Sequence, residues 1–127
     1  MAPWRKTGAP GEAQNWSAWY QMYGPSNSLR NTMVANGDGD KKIWATEFGF
    51  PTNGPSGSYV SEATQAQMIT QAYQLFGSYS WAGPLFVWSS RDAGTSTSTK
   101  YNFYGLLRYD FSQKPALTAY QAAAAAG

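Results

Sequence analysis

Two apolar runs break an otherwise mixed pattern: "KIWATEF", residues 42–48, and "PLFVWSS", residues 84–90. Both are short and continuous, rich in aromatic or β-branched residues, and both lie among Gly, Pro, Asn or Asp. That is the signature of a buried strand. Between them the period changes. In "SEATQAQMITQAYQLFG", Ala66, Ile69, Tyr73 and Phe76 recur at helical spacing. Ser61 stands at a capping position, Glu62 in the first turn and Gly77 at the end, so a helix is predicted there.

Weaker helices flank this core pattern. "QNWSAWYQMY", residues 14–23, predicts a turn or two. Ser26 is a candidate cap for a helix running to Ala35, with Leu29 and Met33 on one face and Gly37 as the stop. Pro115 opens a last helix through Leu117 and Tyr120 into an alanine run. A turn is expected at Gly83-Pro84, then a polar loop over "RDAGTSTSTKYNFYG", a brief "LLRY" and a turn.

The order is loop, helix, strand, helix, strand, helix. Continuous apolar strands alternating with helices predict an α/β fold with parallel pairing. No repeat or linker divides the chain, which reads as a single domain over 1–127, with 1–27 mostly irregular. Two strands alone leave their outer backbone groups without partners.

Composition narrows the function. Aromatic residues make up 17% of the 127 residues, with six Trp and nine Tyr, and charged residues only 13%. Such a chain stacks flat apolar faces, either sugar rings or its own core. The net charge of +2 is scattered, which argues against a nucleic-acid partner or an anionic membrane surface. Cysteine and histidine are absent. Disulfides, thiolate chemistry, most zinc sites and histidine triads are thereby excluded, and no metal or cofactor is expected. No apolar run reaches the ~18 residues of a membrane span, and "MAPWRKTGAPGEAQ" lacks a signal-peptide core. Location stays open.

The candidate chemistry lies at the end of the first apolar run. In a strand, Ile43, Ala45 and Glu47 share one face and Trp44, Thr46 and Phe48 the other, so Glu47 closes a small-apolar face at the carboxyl end. In α/β barrels that end carries the catalytic residues. The second strand places Phe86, Trp88 and Ser90 on one face, with Trp88 near the same rim. The alternative is structural: Glu47 pairs with a loop amide or with Arg30, Arg91 or Arg108.

"KKIWATEFGFPT" resembles the seventh-strand segment of clan A retaining glycoside hydrolases, the cellulase- and xylosidase-like (β/α)8 TIM barrels. "GPLFVWSSRD" resembles their eighth strand, "GLLRYDFSQKPALTAYQ" the closing turn and eighth helix, and "SLRNTMVANGDGDKK" the sixth helix and its exit loop. The four stretches follow the family's chain order across most of residues 14–121. The resemblance implies a partial barrel made of about the last two β/α units plus the preceding helix and loop. Residues 1–27 then follow the sixth strand, and 28–127 cover helices six to eight. It implies Glu47 as nucleophile and Trp88 as the platform under the bound sugar. Asn53, Arg91, Asp92 and Asn102 lie on loops that could read sugar hydroxyls.

The chain departs from the family where the acid/base should be. Its glutamates occur as "GEA", "TEF" and "SEA", so the family's Asn-Glu dipeptide is missing, as is the sixth-strand histidine. A full barrel takes ~250 residues. Glu12, Glu62 and Asp92 are the candidates for a substitute acid, with Asp92 best placed. Without a general acid, turnover drops by about 10²–10⁴-fold. The expectation is a fragment of a retaining O-glycoside hydrolase for β-linked glycans, weak or inactive alone. It would act with a complementary barrel fragment or as a homo-oligomer. The alternatives are a non-catalytic carbohydrate-binding or vestigial module, and a self-assembling structural protein.

Overall fold

The structure, a computed structural model, describes residues 18–126. It divides into two compact units. Among the described residues, the first unit takes 18–43 together with Trp81–Gly83; the second holds Trp44–Ser80 and 84–126.

In the first unit, α1 (Ala18–Tyr23) and α2 (Leu29–Ala35) pack on each other. The α2 cap is Ser28, whose hydroxyl accepts the Asn31 amide at 3.2 Å, and not Ser26. Asn27 between them has a left-handed backbone (φ 54°), so the helix cannot begin before it. Gly37 follows the helix at φ 84°, as the stop signal predicts. Trp81 is buried, with Tyr23 against it at 5.1 Å and the Arg30 guanidinium 5.8 Å from its ring centroid.

The second unit carries α3 (Glu62–Gly77) and α4 (Pro115–Ala126), which pack against each other. Ser61 caps α3 by accepting the Thr64 amide at 3.0 Å, and Pro115 is the first residue of α4. Ile69, Leu106 and Ala116 form the buried cluster, with Phe48, Tyr73, Val87 and Tyr120 packed on it. The Tyr73 hydroxyl donates to the Leu85 carbonyl at 2.7 Å, tying α3 to the second strand.

That strand, β2 (Ala82–Val87), pairs in parallel with β1 (Ile43–Phe48). The pairing runs from Ile43 N–H to the Trp81 carbonyl at 3.0 Å, up to Trp88 N–H to the Phe48 carbonyl at 2.9 Å. Two corrections follow. Gly83 and Pro84 lie inside β2 and make no turn. Proline is tolerated because β2 has a partner on one side only, which leaves ladder positions that require no N–H. Nor is β1 buried along its length: Ile43 is, but Trp44 is 61% exposed, because no third strand or further helix covers it among the described residues. Its ring lies 6.4 Å from that of Phe86, itself 48% exposed.

Candidate functional site

Phe48 and Val87 pack on the buried cluster, so by strand alternation Glu47 and Phe86 point to the opposite face of their strands. Glu47 is exposed. Among the described residues, no hydrogen bond or ion pair involves its carboxylate. The arginines offered as structural partners are occupied elsewhere. Arg30 donates to the carbonyls of Gly39 and Lys41, at 2.6 and 3.3 Å. Arg108 grips Glu62 through two hydrogen bonds of 2.9 and 2.6 Å. Arg91 donates to the Tyr109 carbonyl and lies over the rings of Phe111 and Tyr109, at 4.3 and 5.1 Å.

Trp88 begins one residue past β2 and is 43% exposed. Its N–H bond to the Phe48 carbonyl registers it beside the residue that follows Glu47. Gly49 completes this approach: a Cβ there would press into the Trp88 carbonyl oxygen, so only glycine lets the two strand ends close up. The Trp88–Ser89 peptide is cis. The indole stacks on Tyr104 at 5.0 Å and 29°, and Tyr104 stacks in turn on Tyr101 at 6.2 Å and 17°. Burial first, then the neighbouring Tyr101, hold the Tyr104 phenol above its ordinary value.

Asp92 is the main correction. It does not face a ligand from an open loop. It is 4% exposed and bound to Lys114 Nζ at 2.7 Å, while the same Oδ1 accepts the Gly105 amide at 2.8 Å. Lys114 is equally buried and also donates to Thr52 Oγ1 at 2.9 Å and the Phe103 carbonyl at 3.3 Å. An unpaired charge at this depth would be costly, so the two residues are matched structurally. Nothing local in the sequence marks this pair, because the partners are 22 positions apart.

The remaining candidates are scattered. Asn53 is exposed, and its Oδ1 accepts the Gly54 amide at 2.8 Å. Asn102 donates to the Ser96 carbonyl at 3.0 Å and so braces its own loop. Asn53 and Asp92 do line one cavity of about 310 Å³, with Thr95, Arg108 and Tyr109, but neither Glu47 nor Trp88 borders it. Of the substitute acids, Glu62 is engaged by Arg108, Asp92 by Lys114, and Glu12 lies outside the described residues. What the fold brings together is Glu47, Gly49 and Trp88 at one pair of strand ends.

Among solved structures, the chain is similar to a family 39 glycoside hydrolase from the gut symbiont Bacteroides cellulosilyticus, at 28% identity and a TM-score of 0.54. The match covers 66% of this chain and 16% of that one. It is also similar to a β-glucuronidase from Faecalibacterium prausnitzii, at 20% identity and a TM-score of 0.56, over 78% of this chain and 18% of the other. A third is a GH5_18 protein from Streptomyces cattleya in complex with GlcNAc, at 19% identity and a TM-score of 0.57, over 84% and 27%. The fold is part of a TIM barrel. These neighbours are clan A hydrolases, and the chain spans between 16% and 27% of their length. No protein-family model matches the chain, and no curated protein matches its sequence.

Proposed function

We propose that this chain contributes the nucleophile-bearing part of a retaining O-glycoside hydrolase acting on β-linked glycans. One observation carries the reading. Glu47, at the carboxyl end of a parallel strand, is exposed and unpaired among the described residues, beside an aromatic platform. A carboxylate kept without a structural partner is available for chemistry.

In this reading a Glu47 oxygen attacks the anomeric carbon while the bond to the leaving oxygen breaks. The glycosyl ester so formed is then hydrolysed by water. Trp88 covers the apolar face of the sugar. The step needs a second carboxyl ~5–5.5 Å away to protonate the leaving oxygen. Among the described residues, the candidates Glu62 and Asp92 are committed to cations, and in this reading that group is supplied by other β/α units. The outer edges of β1 and β2 are where further strands would add, from a complementary chain or further copies.

The test is reconstitution. The chain is combined with a chain supplying strands one to six of such a barrel and assayed on an aryl β-glycoside. Restored turnover should vanish in Glu47→Ala; turnover indifferent to that change overturns the assignment.

A second reading, glycan binding without turnover, is favoured by Trp88, held in place while no acid candidate stands free among the described residues. It predicts oligosaccharide affinity in calorimetry that drops on Trp88→Ala and is unchanged on Glu47→Gln. Absence of binding to soluble glucans and xylans eliminates it.

A further inference from the structure

A short segment delivered from the polar loop lies against the Trp88 indole. Residues 104–107 run alongside 89–92. Ser89 N–H donates to the Tyr104 carbonyl at 3.1 Å, and Leu106 N–H donates to the Ser89 carbonyl at 3.0 Å. Leu107 N–H then bonds the Ser90 carbonyl at 3.0 Å, and Asp92 N–H bonds the Leu107 carbonyl at 2.9 Å. Gly105 permits this approach, since a Cβ there would collide with the Asp92 amide and the Arg91 carbonyl carbon.

The residues on either side of Tyr104 are fastened from within. The Phe103 carbonyl accepts from Lys114 Nζ at 3.3 Å and from the Thr52 amide at 3.0 Å. The Gly105 amide donates to Asp92 at 2.8 Å, and the Gly105 carbonyl accepts from buried Gln65 at 3.3 Å. The buried Lys114–Asp92 pair thus grips the backbone just before and just after Tyr104. The Tyr104 ring then meets the indole at 5.0 Å and 29°, an offset stack that occupies one indole face. Trp88 nevertheless stays 43% exposed.

We infer that Tyr104 is a positioning residue for Trp88: its stacking fixes the indole in one orientation and leaves a single face open to the apolar side of a β-linked pyranose. The inference rests on the proposed role of Trp88 as sugar platform. Tyr101 is an extension of the same stack and not an independent platform, because its ring lies against Tyr104 at 6.2 Å and 17°.

The test reads the Trp88 indole N–H by nitrogen-15 NMR, with Trp88→Phe assigning the resonance among the six tryptophans. Tyr104→Phe keeps the ring; Tyr104→Leu and Tyr104→Met remove it, and having both guards against one failing to fold. In the parent and Tyr104→Phe, the indole order parameter should sit near the rigid value of about 0.85; in Leu or Met it should fall toward about 0.6. A folded Leu or Met variant with an unchanged order parameter and chemical shift overturns the inference. Cello- and xylo-oligosaccharides are titrated in parallel. If the competent indole orientation drops to a tenth, the apparent Kd rises about tenfold, and Tyr104→Phe restores it. A parent that binds no glycan refutes the platform role of Trp88, while the order parameter still decides whether Tyr104 holds the indole.

Discussion

The two strand ends place their acids in opposite circumstances. Beyond β2, Asp92 is buried against Lys114 and holds the Gly105 amide, and its charge serves the fold. At the end of β1, Glu47 is exposed and serves no contact among the described residues. Glu47 lies within β1 and Asp92 five residues beyond β2, and being a carboxylate toward the carboxyl end of a strand does not tell their roles apart. Their surroundings do: Asp92 is spent on the fold, and under the proposed function Glu47 is the acid left for chemistry.

The largest effect that would break the contrast is at Lys114. Lys114→Met leaves Asp92 buried without its cation and should destabilise the chain by about 3–5 kcal/mol in urea denaturation. Adding Asp92→Asn should recover part of that loss. A neutral Lys114→Met would mean that Asp92 is solvated after all.

Gly49→Ala strikes the other strand end. The added methyl meets the Trp88 carbonyl backbone, which cannot swing aside as a flexible side chain can. A loss of about 1–3 kcal/mol is expected, read as a lower denaturation midpoint. Tyr73→Phe removes the hydroxyl bond to the Leu85 carbonyl and should cost about 1 kcal/mol.

The same tyrosine enters a pH prediction. Tyr73 and Tyr104 are both held above the ordinary 10.0, mainly by burial and secondarily by Tyr120 and Tyr101. The folded chain therefore keeps these protons longer than the unfolded chain. Their contribution is intact below pH 10.0 and is lost as pH rises through the folded values. Thermal melts should show a midpoint that falls as pH rises above about 10, with a shallower fall in Tyr73→Phe. The smallest effect sharpens the comparison most: Glu47→Gln should leave stability within about 0.5 kcal/mol of the parent, since no contact is lost.

Much of the fold was legible because its signals are local. The period of Ala66, Ile69, Tyr73 and Phe76, the Ser61 cap and Pro115 at the start of α4 are each read within one turn of helix. The parallel pairing followed from continuous apolar character. Illegible features depend on distant partners or on what is not covered. Pro84 read as a turn because the one-sided pairing of β2 is invisible in its own residues. Arg91 read as a loop donor, yet it lies over Phe111 and Tyr109. Asp92 gave no local hint of Lys114, and Tyr104 lay in a stretch that reads only as a polar loop. That Glu47 and Trp88 lie at the ends of the paired strands was readable, because strand alternation and register are local signals.

One measurement bears most directly on Glu47. The reconstituted barrel is treated with 2,4-dinitrophenyl 2-deoxy-2-fluoro-β-glucoside and the matching xyloside, whose leaving group departs without acid assistance, and the peptides are weighed. The account predicts a glycosyl ester on the peptide containing Glu47, absent from Glu47→Gln. A label on another carboxylate would contradict it, as would an unlabelled protein that still hydrolyses the aryl glycoside.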